Sequence, residues 1–200
     1  ACCPPNIART LASLGQYIYS WDKETQELYL NLFVSSETSV VGEQGEIKVK
    51  VETKFPWEMK VNLTVENTTG KPVKTAIRVP DYAQDYKVIC NGKEISFEKV
   101  NGYAQIVVED YLKAEITFTA PARFVRANPK VREDAGKTAI VRGPLVYCLE
   151  QADNGENLSA ISVDTTQELQ TENSDLFGGS VLIKGKGRRL CEEDWSEGLY

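Results

Sequence analysis

Apolar residues recur at every second position through the middle of this chain. Ile47, Val49 and Val51 alternate with Lys48, Lys50 and Glu52, and Val61, Leu63 and Val65 repeat the pattern. A period of two places one set of side chains on one face of an extended segment, so each run predicts a strand with one buried face. Leu28, Leu30 and Leu32 come before these runs, and Val73, Ile77 and Val79 follow them. Residues 67–72, Asn-Thr-Thr-Gly-Lys-Pro, tolerate or fix unusual φ values and predict a hairpin turn between the Val61 and Val73 strands. Asn91-Gly92 and Asn101-Gly102 are tight-turn dipeptides flanked by apolar runs at 86–90, 103–108 and 114–118. Short strands at this spacing predict a sandwich or barrel.

The period differs before this region. Pro4 and Pro5 suit a first helical turn, and Ile7, Leu11, Leu14 and Ile18 recur at helical spacing, which predicts a helix ending near Ser20. After Pro121 a second block offers strands at Phe124 and Val125, at 138–141, at 145–149 and at 181–183. Residues 151–157 and 165–179 lack a period and predict loops. The fold class is therefore mainly β, as tandem antiparallel β-sandwiches behind one helix. The expected division is a helix at 1–20, a first sandwich at 21–122 and a second at 123–200.

Composition narrows the chemistry. Acidic residues outnumber basic ones 29 to 23, for a net charge of −6, and the basic residues are scattered, so no nucleic-acid partner is expected. No run approaches the roughly 20 apolar residues that span a bilayer, so no membrane partner is expected either. The first residues show neither a basic n-region nor an apolar h-region. Histidine is absent, which removes the usual general base and the commonest metal ligand. Chemistry then falls to thiolates and carboxylates. The five cysteines, Cys2, Cys3, Cys90, Cys148 and Cys191, are odd in number and irregularly spaced, so they read as free thiols or ligands and not as a disulfide framework.

The adjacent pair Cys2-Cys3 is the most unusual local feature. Two thiols on neighbouring residues before a helix can reach one soft cation where the backbone is non-helical, although zinc needs about four ligands. A helix amino terminus and a metal both favour thiolate, so the position also suits a nucleophile. The plainer alternative is a pair of small buried residues. Trp21, Trp57 and Trp195, with the tyrosines, are candidates for stacking on sugars, against the commoner role of filling a core.

The segment Cys2-Cys3-Pro4-Pro5-Asn6-Ile7-Ala8-Arg9, followed by Leu14-Gly15-Gln16-Tyr17-Ile18-Tyr19, resembles the active-site segment of the β-L-arabinofuranosidase family, glycoside hydrolase family 127 and its relatives. Three further blocks agree in order: Thr53-Lys54-Phe55-Pro56-Trp57, then Arg126-Ala127-Asn128-Pro129-Lys130-Val131-Arg132, then Arg142-Gly143-Pro144-Leu145-Val146-Tyr147-Cys148-Leu149-Glu150. One departure is Met59, where family members often carry glycine. The resemblance implies an upstream (α/α)6 toroid whose last helix is residues 1–20, followed by two β-sandwiches.

It further implies that Cys2 is the catalytic nucleophile of a retaining glycosidase and a zinc ligand, and that Cys3 is a second zinc ligand. The remaining ligands and the acid/base glutamate precede the double cysteine in that family. A chain limited to these 200 residues is then expected to be inactive alone. The implied partners are a glycan or oligosaccharide substrate and a second copy of the chain, forming a homodimer through the second sandwich. A bacterial source is implied, with cytoplasm and periplasm both open. The alternative is a non-catalytic carbohydrate-binding or structural sandwich in which the two cysteines do no chemistry.

Overall fold

The structure, a computed structural model, describes residues 2–41 and 44–190. The chain divides into two compact units, Ala1–Ala120 and Pro121–Tyr200.

The first unit opens with helix α1 (Cys3–Ser13) and a single turn, α2 (Gly15–Ile18). Eleven strands follow: β1 (Tyr19–Asp22), β2 (Glu27–Leu30), β3 (Ser36–Val41), β4 (Glu46–Thr53), β5 (Lys60–Asn67), β6 (Val73–Arg78), β7 (Gln84–Cys90), β8 (Lys93–Ile95), β9 (Glu98–Val100), β10 (Tyr103–Val108) and β11 (Tyr111–Thr119). They form a five-stranded sheet in the order β1-β2-β6-β10-β9 and a six-stranded sheet in the order β3-β4-β5-β11-β7-β8. Strands β2 and β6 pair parallel, with Leu28 opposite Thr75 and Leu30 opposite Ile77. The inner faces of the two sheets share one core, in which Leu28, Leu30, Ile47, Leu63, Ile77 and Ile116 are fully buried. The alternation read from the sequence is this inner face.

Asn91-Gly92 and Asn101-Gly102 are two-residue hairpin loops, joining β7 to β8 and β9 to β10. Both residues of each loop have positive φ, the conformation that matches the twist of the flanking strands.

Residues 67–72 differ from expectation. Strands β5 and β6 lie in different sheets, so the segment is a crossing and not a hairpin. The reason lies in Asn67, which is buried and ties the crossing to the far end of β10. Its side-chain amide donates to the carbonyls of Lys71 (2.8 Å), Glu109 (2.5 Å) and Val108 (3.3 Å), and its side-chain oxygen accepts from the Thr69 amide and hydroxyl. The backbone of Thr68 also passes so close to Gly45 that a Cβ there would sit 2.3 Å from the Thr68 carbonyl oxygen. Only glycine fits.

The helix also ends earlier than predicted. Leu14 caps the end of α1, Gly15 opens the single turn α2, and residues 19–22 form β1 because Tyr19 and Trp21 pair across to Leu30 and Leu28. Ile18, buried, is the last helical residue, and strand pairing takes over from Tyr19.

The second unit contains β12 (Arg123–Val125), β13 (Ala139–Arg142), β14 (Leu145–Tyr147), a single turn α3 (Gln151–Asn154), β15 (Ile161–Val163), β16 (Gln170–Ser174), β17 (Ser180–Lys184) and β18 (Gly187–Arg189). These make a three-stranded sheet, β12-β13-β14, and two ribbons, β15-β18 and β16-β17. Two segments read as loops hold structure: 151–157 contains α3, and 165–179 contains β16, a polar strand held by backbone pairing to β17. Among the described residues no helix is long and apolar enough to cross a membrane.

Replacing Asn67 with alanine would leave the buried Val108 carbonyl and the part-buried Glu109 carbonyl without this donor, a loss of about 2 kcal/mol at the 1–3 kcal/mol typical of an unsatisfied buried group. Asn62→Ala, an exposed change on the same strand, should cost under about 0.5 kcal/mol. Urea unfolding of both variants measures the difference.

Candidate functional site

Cys2 caps α1 at its amino end, and Cys3 is its first residue. The backbone at Cys2 is helical, with φ −87° and ψ −28°, so the non-helical geometry expected for two converging thiols is not what brings them together. The sulfurs nevertheless lie 3.7 Å apart. Both residues are exposed free thiols in this chain. The Cys2 carbonyl accepts from the Asn6 amide at 3.3 Å, and Arg9 donates to the Asn6 side-chain oxygen at 3.3 Å.

A tetrahedral zinc with Zn–S bonds of about 2.3 Å separates two of its sulfur ligands by about 3.8 Å. The 3.7 Å pair fits two corners of such a shell. Among the described residues no group of three or more cysteines and carboxylates converges, so the pair supplies half a shell. Cys90 is half-buried on β7, where burial pushes its thiol up from the usual range. Cys148 follows β14 in the second unit and is exposed. Cys191 and Trp195 lie outside the described residues.

The other sequence blocks have structural roles. Phe55 packs edge-on to Phe33 (5.6 Å between centroids) and against Phe118 (6.2 Å), while Trp57 in the same loop is 40% exposed. Met59 packs on this core, and its carbonyl accepts from the Phe118 amide at 3.2 Å. Gly143, at φ +56°, makes the turn between β13 and β14. Arg126 donates to the Thr165 hydroxyl at 2.9 Å.

Comparison with known proteins adds to this geometry. Residues 27–122 match the family model for the β-L-arabinofuranosidase GH127 middle domain, and residues 122–183 match the glycoside hydrolase family 127 C-terminal domain. The chain belongs to glycoside hydrolase family 127. A curated member, the non-reducing end β-L-arabinofuranosidase of Bifidobacterium longum, is 33% identical over 189 residues, covering 90% of this chain and 28% of that protein. A crystal structure of a GH127 β-L-arabinofuranosidase from Geobacillus stearothermophilus is 35% identical with a TM-score of 0.88, covering all of this chain and 32% of that one. A further GH127 β-arabinofuranosidase structure is 26% identical with a TM-score of 0.81, over 94% of this chain and 32% of that one. The chain thus spans about a third of the length of the family 127 proteins it matches.

One polar cluster was missed in the sequence. On the outer face of the five-stranded sheet, Glu27 is only 8% exposed. Its carboxylate accepts from the Tyr29 hydroxyl (2.6 Å) and the Gln105 amide (2.8 Å). Tyr103 stands edge-on to Tyr29 at 5.3 Å and donates to Asn31. The only sequence signal was that Glu27 and Tyr29 occupy the outward positions of the Leu28–Leu30 alternation.

The hydrogen bond to Glu27, followed by burial, pushes the Tyr29 hydroxyl up to about 12 from 10.0. The fold therefore favours neutral Tyr29. This contribution to stability is intact below pH 10.0 and fades as the pH climbs toward about 12. Tyr29→Phe should flatten that alkaline loss, measured by urea unfolding at a series of pH values.

Proposed function

We propose that the full-length protein is a retaining β-L-arabinofuranosidase in which Cys2 is the nucleophile and Cys2 and Cys3 are two ligands of a zinc ion. The observation that carries this reading is the accessible sulfur pair, spaced at 3.7 Å as two corners of a tetrahedral site, in a chain of family 127. The name of the Bifidobacterium longum relative supports a terminal arabinofuranosyl unit as the group released. The missing ligands and the acid/base residue belong to protein outside these 200 residues. The lengths of the matched relatives support that assignment, and the chain alone is expected to be inactive.

Zinc, when bound, would keep both sulfurs deprotonated and fix their direction. Cys2 Sγ gives an electron pair to the anomeric carbon while the bond from that carbon to the leaving oxygen breaks. The leaving oxygen takes a proton from the acid supplied by the rest of the protein. A thioglycosyl bond to Cys2 results, and in a second step water attacks the same carbon, giving a proton to the now deprotonated acid as the bond to sulfur breaks and the Cys2 thiolate is released. Two inversions retain the configuration. Cys3 would hold the zinc and take no part in the bond changes.

The two cysteines then differ on replacement in the full-length enzyme. Both serine variants should bind zinc more weakly, measured by metal analysis after dialysis. Cys3→Ser should recover part of its turnover in excess zinc, because the nucleophile remains. Cys2→Ser should lose several powers of ten in turnover at every zinc concentration, far beyond the roughly 10-fold to 100-fold of a supporting residue. Mass spectrometry should find the glycosyl adduct on the Cys2 peptide. An adduct on Cys3, or near-normal turnover by Cys2→Ser, would reverse the assignment.

A further inference from the structure

The turn between β1 and β2 ends in a groove of about 450 Å³, a size within the roughly 300–1,000 Å³ of small-molecule sites. It lies at the opposite end of β1 from the junction with the helices. Trp21, Lys23, Glu24, Gln26, Gln44 and Lys71 contribute side chains to its wall. Trp21 is half-buried, with part of its ring resting on the sandwich core. Its indole N–H meets no acceptor among the described residues, although buried or half-buried indoles ordinarily find one. Lys23 and Lys71 form no ion pair among the described residues.

The fold holds these groups in place. Gln26, at φ +55°, shapes the turn and donates its side-chain amide to the Lys23 carbonyl at 2.7 Å. The Lys71 carbonyl accepts from Asn67, so the crossing that joins the two sheets also fixes the backbone from which Lys71 lines the groove.

The chemistry of the wall selects a ligand. Among the described residues the indole N–H and the two ammoniums are uncommitted donors and Glu24 is the one carboxylate that lines the groove, so the described wall carries one net positive charge on a chain whose net charge is −6. A matching ligand is rich in acceptors, negatively charged, and has an apolar face for the indole. A bare anion leaves the indole unused, and a purely apolar ligand strands the ammoniums without a partner. A sugar ring bearing a carboxylate satisfies all three demands.

We propose that this groove binds an acidic, uronate-bearing oligosaccharide, with the carboxylate held between Lys23 and Lys71 and a ring face against Trp21. The proposal does not rest on the zinc reading, because no residue of the groove belongs to the double-cysteine helix.

Calorimetric titration of the full chain with trigalacturonate tests it, beside a neutral arabinotriose and sodium sulfate as probes. Trigalacturonate should bind at least tenfold more tightly than either. Trp21→Phe, which keeps an aromatic ring but loses the N–H, should weaken it about fivefold. Lys23→Gln with Lys71→Gln should weaken it about tenfold and reduce its salt dependence. Circular dichroism melts confirm that each variant is folded, and the exposed lysine pair decides the matter if Trp21→Phe destabilises the sandwich. Equal affinity for the neutral sugar or for sulfate, no heat at millimolar trigalacturonate, or unchanged affinity in the lysine variant would each overturn the proposal.

Discussion

Burying one face of two sheets against each other requires the chain to leave one sheet and enter the other repeatedly. It does so from β2 to β3, β5 to β6, β6 to β7, β8 to β9 and β10 to β11. A backbone that passes between two sheets leaves their ladders, and the Asn67 crossing shows how its polar groups are satisfied. One buried amide gathers carbonyls from three residues, and a glycine opposite leaves room for the passing backbone. The shared core, the parallel pairing of β2 with β6 and the presentation of Lys71 all depend on that local arrangement.

The sequence made the inner faces legible because a period of two at Val, Ile and Leu positions has few alternatives. The two Asn-Gly turns were legible for a similar reason, since few residue pairs accept positive φ twice in succession. Residues 67–72 misled because turn chemistry is the same whether a chain reverses within a sheet or crosses between sheets. The distinguishing contacts, from Asn67 to Val108 and Glu109, span about forty positions and leave no local trace. Edge strands were silent too. Ser36–Val41 pairs on one side only, and Gln170–Ser174 is mostly exposed, so neither needs an apolar alternation.

At the double cysteine, identity was legible and geometry was not. Two adjacent thiols and two prolines announced a helix start with unusual chemistry. That a helical backbone could still hold the sulfurs 3.7 Å apart is a matter of side-chain torsion, which residue order does not encode locally. The helix itself buries none of its residues among the described parts of the chain, and its Ile7 and Leu11 are exposed. The Trp21 groove lies at the other extreme, where the turn-rich end of a rigid sandwich brings together side chains from segments far apart in sequence.

The strand order of the six-stranded sheet has a consequence for biosynthesis. β11 is the last strand of the first unit to leave the ribosome, yet it sits between β5 and β7 and pairs with both. Until residue 119 emerges, those two strands face a gap with unpaired backbone edges, the kind of surface that recruits neighbouring chains. The nascent unit therefore passes through an incomplete stage whose closure waits on one nine-residue segment, Tyr111–Thr119. Non-local closure of that kind is slow, which makes this stage the interval in which holdase chaperones would protect the growing chain.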